Sequence, residues 1–130
     1  MIQVILIALG GAIGAILRYL TGLITIRSLG KSKVLTGTVI ANSLGCLLAG
    51  VLLGWITAVD HPGDGVVRFL TVGILGSYTT FSTFSLELSR LLKESWGELV
   101  TYLFLQMVVA IGLAALGYYI TIWIAGGVNG

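Results

Sequence analysis

The chain has 130 residues, of which 57% are hydrophobic and only 9% are charged, with a net charge of +2 and a mean hydropathy of +1.07. A soluble domain carries about 25% charged residues, so this composition cannot supply a water-facing shell. The small, scattered positive charge also lacks the basic surface that nucleic acid requires. The sequence therefore predicts an integral membrane protein with no nucleic-acid partner.

Four apolar segments follow one another along the chain, at about residues 2–26, 34–59, 66–90 and 99–125. Each is close to the ~20 residues that a helix needs to cross the hydrocarbon core. The segments lack period-2 alternation and are too long for the strands of a membrane barrel. We predict a single all-α, multi-pass membrane domain over residues 1–130. His61, in the second connector, is interpreted as a turn residue.

Small residues recur at the spacing of helix packing. Gly10 and Gly14 in the first segment lie four apart, as do Ala41, Gly45 and Ala49 in the second. Such pairs let helices approach closely in lipid, and ordinary packing is the simplest interpretation of each. Four short helices are too few to line an aqueous pore and also shield it from lipid. Self-association is therefore expected.

The third segment has a polar centre near the middle of its span. Its hydroxyl residues are Ser77, Thr79, Thr80, Ser82 and Thr83. Glycine, β-branched and hydroxyl residues weaken a helix, and non-helical backbone at membrane depth is tolerated only inside protein or beside water. We predict that this helix is broken near residues 76–80. The alternative is a continuous helix whose hydroxyls bond to its own carbonyls.

Two aromatic residues and an amide are candidate anion contacts. Phe81 and Phe84 stand three apart and share one helix face, and the positive edges of their rings suit an anion. Core packing is the alternative for this pair. Asn42 offers two N–H donors and has Thr38 four residues earlier on its face. The alternative is that Asn42 bridges two helices.

The fourth segment carries a second polar face. Tyr102 and Gln106 lie four apart and either extend a polar track or hold helices together. Arg18 is costly inside the membrane, and we expect it at an interface. A solitary cysteine, Cys46, and the absence of paired carboxylates within the membrane give no catalytic constellation, so we do not expect an enzyme.

Together the four segments resemble the Fluc (CrcB) fluoride channel family. The matching stretches are residues 10–14 with Arg18 and Tyr19, residues 37–38 with Asn42 and Gly45, and Gly76 with the TTFSTF run of residues 79–84. The last motif is highly specific, and the resemblance covers essentially the whole chain. It implies a fluoride-selective channel for passive fluoride export across the plasma (inner) membrane. It also implies an antiparallel, dual-topology homodimer with two pores.

The resemblance also assigns residues to roles. It implies a structural Na⁺ at the dimer interface, bound by the main-chain carbonyls of Gly76 and Thr79. It implies a fluoride pore lined by Asn42, Phe81, Phe84, Thr38, Ser82, Thr83, Tyr102, Gln106 and Glu87. Gln106 departs from the family pattern, since it replaces a serine or threonine of the polar track.

The distribution of charge bears on topology and on the main alternative function. Most basic residues fall on the side opposite the two termini, and only Arg68 falls with the termini. This bias favours termini outside and leaves open a heterodimer of two oppositely oriented paralogues. The rival function is a small multidrug-type, proton-coupled efflux transporter. That class needs a carboxylate in helix 1, where this chain has only Arg18, so the channel is favoured.

Overall fold

The computed structural model describes residues 1–59 and 62–128, and these residues are almost entirely helical. Helix α1 spans Ile2–Leu29 and helix α2 spans Gly37–Ala58. Helix α3 consists of three abutting segments, Asp64–Arg68, Phe69–Leu75 and Gly76–Tyr78, the middle one with wider π-helical turns. Helix α4 spans Phe81–Glu94. Helix α5 is made of Trp96–Phe104, a π-helical Leu105–Val109, and Ala110–Val128.

All four apolar segments are helical, but the third is divided in two. Within the described residues, three helices are long and apolar enough to cross a membrane, namely Ile2–Leu29, Gly37–Ala58 and Trp96–Gly126. The predicted third crossing corresponds to α3 followed by α4, and an extended dipeptide separates them. His61, for which a turn was predicted, lies outside the described residues.

Close approaches at glycine hold two helix pairs together. Helix α1 packs on α3, where a methyl group on Gly10 would lie 2.7 Å from the Phe69 carbonyl oxygen. Helix α2 packs on the second half of α5, and a methyl group on Gly50 would collide with the Ala114 carbonyl. The predicted packing role of the glycine pairs is therefore correct for Gly10 and Gly14, which are both buried.

The last connector is shorter than the gap between the predicted apolar segments 66–90 and 99–125 suggested. Helix α4 continues to Glu94, and α5 begins directly after Ser95, whose hydroxyl accepts the Glu98 N–H at 3.4 Å. This capping bond satisfies one of the free N–H groups at the helix start. Lys33 forms an ion pair with Glu94 at 2.8 Å, which raises the pKa of Lys33 and lowers the pKa of Glu94.

The buried core lies at one end of the bundle, where α2, α4 and α5 meet. Its members are Val39, Leu91, Leu99 and Tyr102. Tyr102 is fully buried there, which is unusual for a residue with a polar hydroxyl unless that hydroxyl is bonded. The core therefore fixes the position of a polar group, and the functional site is built around it.

Candidate functional site

The break between α3 and α4 is paired to a side chain of α2. Thr79 and Thr80 are extended, with φ/ψ of −85°/159° and −148°/126°. The Thr80 N–H donates to Asn42 Oδ1 at 2.9 Å, and Asn42 Nδ2 donates to the Thr80 carbonyl at 3.2 Å. In a continuous helix the Thr80 N–H would bond to the Gly76 carbonyl. Asn42 thus takes the partner that Gly76 would have.

At the start of helix α4, a second side chain takes the place of a main-chain hydrogen-bond acceptor. The Thr83 N–H donates to the Thr80 hydroxyl oxygen at 3.3 Å, an N-cap bond. In a continuous helix that N–H would have bonded to the Thr79 carbonyl. The alternative of an unbroken helix is therefore wrong, although the Thr79 hydroxyl does donate to the Leu75 carbonyl at 3.1 Å, as that alternative expected.

The Arg18 side chain points to the break, a contact that the sequence did not predict. Its Nη1 donates to the Thr79 carbonyl oxygen at 3.4 Å. The physical reason is that the break supplies a carbonyl without its helical partner, and a half-buried guanidinium needs an acceptor. A carbonyl oxygen has two lone pairs, so this long contact leaves the Thr79 carbonyl with capacity for another ligand.

A track of hydrogen bonds runs from the break to Glu87. Asn42 Nδ2 donates to Gln106 Oε1 at 3.2 Å, and Gln106 Nε2 donates to the Tyr102 hydroxyl at 3.2 Å. The Tyr102 hydroxyl in turn donates to Glu87 Oε2 at 2.8 Å. All three bonds run in the same direction, so each donor strengthens the next. We call Asn42, Gln106, Tyr102 and Glu87 the polar track.

The carboxylate end of the polar track is held by threonine hydroxyls of α2. Thr36 donates to Glu87 Oε2 at 2.8 Å and Thr38 donates to Oε1 at 2.9 Å. Together with Tyr102 they give the carboxylate three O–H donors, which compensates for its removal from water. Thr36 was not among the site residues predicted from the sequence. The signal for it was a threonine directly before Gly37, at the start of α2, which it caps by accepting the Val39 N–H.

A groove of about 330 Å³ opens beside the break end of the polar track. Its lining residues are Asn42, Cys46, Thr79, Thr80, Phe81, Phe84, Gln106 and Met107. The Phe81 and Phe84 rings lie 5.6 Å apart between centroids and are tilted by 42°, and Phe84 stacks on Tyr102 at 5.8 Å. Phe81 is 78% exposed, so one wall of this groove is open. We call it the phenylalanine groove.

A second cavity, of about 430 Å³, has Glu87 in its lining. Its lining includes three cations, Lys31, Lys33 and Arg90, together with Thr36 and Glu87. Cations at the mouth of a cavity raise the local concentration of anions. We call this cavity the basic mouth. The polar track thus connects the basic mouth, at Glu87, with the phenylalanine groove, at Asn42 and Gln106.

Two predicted pore residues, Ser82 and Thr83, are not in the lining of the phenylalanine groove. The Ser82 and Thr83 hydroxyl oxygens each lie 3.2 Å from the Thr80 hydroxyl oxygen, at the start of α4. Thr83 lines a separate groove of about 240 Å³ with Arg18 and Thr38. The tight N-terminal turn of α4 directs these hydroxyls toward Thr80. The structure therefore joins Asn42, Gln106, Tyr102, Glu87 and Thr38 by hydrogen bonds and places Phe81 and Phe84 beside Tyr102, whereas Ser82 and Thr83 contact the Thr80 hydroxyl.

A helical bundle with three helices long and apolar enough to cross a membrane, and with a polar track inside it, defines the class as a multi-pass membrane protein. Residues 5–118 match the family described as "CrcB-like protein, Camphor Resistance (CrcB)". This match covers most of the 130 residues. The chain belongs to that family.

Similar proteins from several bacteria carry one name, "Fluoride-specific ion channel FluC". The protein from Hyphomonas neptunium is 41% identical over 123 residues, which cover 93% of both chains. The protein from Shewanella halifaxensis is 41% identical over 118 residues and 91% of both chains. The protein from Phocaeicola vulgatus is 38% identical over 95% of this chain and 98% of its own. The resemblance stated from the sequence is therefore confirmed.

Proposed function

We propose that this chain forms a fluoride-selective channel that lets fluoride leave the cytoplasm passively across the plasma membrane. The observation that carries the proposal is the polar track, which joins the basic mouth at Glu87 to the phenylalanine groove. The names of the relatives support the same substrate. The rival, a small multidrug-type transporter, is not supported, because the only charge on the interior of α1 is Arg18.

The chemistry of the groove suits a small anion that must leave as easily as it enters. Fluoride holds its water strongly, so a pathway has to replace that water with several weak donors. Asn42 supplies an amide, Thr80 a hydroxyl, and Phe81 and Phe84 supply weakly positive ring edges. The lining of the groove contains no lysine or arginine among the described residues. Weak, multiple contacts of this kind favour conduction over trapping.

The proposal includes an antiparallel dimer. Phe81 is exposed, and one wall of its groove is missing from the single chain. A second copy laid against this face would close the groove and shield the polar track from lipid. The family resemblance gives the antiparallel orientation, while the bias of basic residues keeps a heterodimer with an oppositely oriented paralogue as the alternative assembly.

A structural Na⁺ on the dimer axis completes the proposal. The residues fit such a site, because the Gly76 and Thr79 carbonyls have both lost their helical N–H partners to side chains. Freed carbonyls at a helix break are suitable cation ligands. The ion would neutralise the carbonyl dipoles of both subunits where the two breaks meet.

Fluoride efflux from liposomes, recorded with a fluoride electrode and repeated with chloride, tests this function. We expect fast fluoride efflux, slow chloride efflux, and no proton-driven uptake of an organic cation. Replacing Na⁺ by N-methylglucamine during purification should lower the thermal stability of the dimer. A protein that is folded and dimeric but passes no fluoride would refute the proposed function.

A further inference from the structure

Gln106 is bonded at both ends of its amide. Its Oε1 accepts from Asn42 Nδ2 at 3.2 Å, and its Nε2 donates to the Tyr102 hydroxyl at 3.2 Å. The resemblance left its role in doubt, since the family has a shorter hydroxyl residue there. The structure gives a specific function to the longer side chain: it spans the distance from Tyr102 to the amide at the break.

The bond to Gln106 leaves Asn42 without a free donor. The Asn42 NH₂ group has two hydrogens, and it donates one bond to the Thr80 carbonyl and one to Gln106 Oε1. An anion in the phenylalanine groove can therefore reach an Asn42 hydrogen only by replacing one of these acceptors. Both Asn42 and Gln106 line that groove, so the exchange takes place at its wall.

The two acceptors are not equally easy to replace. The Thr80 carbonyl belongs to a two-point pair, because the Thr80 N–H also donates to Asn42 Oδ1. Breaking it would leave a main-chain group without a partner, which is costly. The Gln106 contact is a single bond made by a side chain with three rotatable bonds. An anion therefore displaces Gln106 from Asn42 more easily than it displaces the Thr80 carbonyl.

We propose that Gln106 sets the anion occupancy of the groove by competing with the anion for the Asn42 Nδ2 hydrogen. This inference rests on the proposed function and refines it. Fluoride is a stronger hydrogen-bond acceptor than an amide oxygen and displaces Gln106. Chloride is a weaker acceptor and displaces it poorly. Gln106 thereby lowers fluoride affinity, which speeds exit, and improves discrimination against chloride.

The deciding variant is Gln106→Met, which keeps length and flexibility but removes the competing acceptor. The fluoride concentration that gives half-maximal flux should fall about fivefold, the worth of one ordinary hydrogen bond. Chloride flux should rise relative to fluoride flux. The matched control is Gln3→Met, because Gln3 accepts from Arg68 at the far end of α1 and should leave both quantities unchanged.

Other roles for Gln106 predict different changes in the half-maximal fluoride concentration. If Gln106 itself donated to fluoride, Gln106→Met would raise the half-maximal concentration, and if it only held helices together the concentration would stay unchanged. Either result would overturn the inference. Gln106→Leu, which also lacks a competing acceptor and adds no donor, gives the same test should the methionine variant not fold. The wild-type protein is measured in parallel, and its failure to pass fluoride would instead refute the proposed function.

Discussion

Asn42 and Thr80 form a two-point pair in which a side-chain amide on α2 replaces the helical partners of a main-chain residue at the break between α3 and α4. Asn42 Oδ1 accepts the Thr80 N–H at 2.9 Å, and Asn42 Nδ2 donates to the Thr80 carbonyl at 3.2 Å. The break is therefore held open by a defined contact. This arrangement gives both main-chain polar groups of Thr80 a partner inside the protein.

Replacing Asn42 by leucine should destabilise the fold. The substitution leaves the Thr80 N–H and carbonyl without partners, at a cost of roughly 1–3 kcal/mol for each buried group. Thermal unfolding in detergent measures the effect. The control is Thr57→Val on the same helix, where the exposed hydroxyl bonds only to carbonyls of its own helix. Equal midpoints for the two variants would show that the pair does not stabilise the break.

Replacing either phenylalanine of the groove by isoleucine should lower fluoride flux about tenfold, because isoleucine keeps apolar bulk but lacks the positive ring edge. Methionine at Phe81 or Phe84 should be tolerated better, since its thioether is polarisable. The measurement is fluoride efflux from liposomes, with size-exclusion elution to confirm assembly. Phe104→Ile, at an exposed position outside the groove, serves as the control. Isoleucine variants that conduct at the wild-type rate would reduce both rings to packing.

Removing the Tyr102 hydroxyl should weaken the carboxylate end of the polar track. Tyr102→Phe keeps the ring stacked on Phe84 but deletes one of the three donors to Glu87 and the acceptor of Gln106. We expect a loss of about 1–3 kcal/mol, because Glu87 is left with one fewer donor. Unfolding midpoints of this variant and of Tyr119→Phe, a residue that is 69% exposed, give the comparison. A midpoint unchanged from the wild type would mean that water replaces the lost donor.

Adding a methyl group where helices touch should disrupt packing. Gly50→Ala would drive a methyl group into the Ala114 carbonyl, and overpacking of this kind costs about 1–3 kcal/mol. Gly112→Ala is the matched control, because it lies in the same helix as Ala114 and a methyl group there meets no atom within 4 Å. Thermal stability in detergent should fall for the first variant only. A stable Gly50→Ala protein would require α2 and α5 to be farther apart than described.

Several features of this molecule could be predicted from local sequence because they depend on composition and periodicity. The apolar segments indicated a membrane protein, and the cluster of glycine and hydroxyl residues predicted the break, which lies at Thr79 and Thr80. Spacings of three and four placed Phe81 with Phe84 and Tyr102 with Gln106. These relations follow from helix geometry alone, and the structure reproduces each of them.

The partners of the polar groups were decided only by tertiary structure, because they depend on which helices lie side by side. Arg18 turned to the break since a freed carbonyl is there to accept its bond, and Thr36 joined the site because α4 brings Glu87 next to the start of α2. Ser82 and Thr83 bond to Thr80 because the first turn of α4 holds them there. A sequence records how many donors and acceptors a helix carries, and packing determines which of them meet.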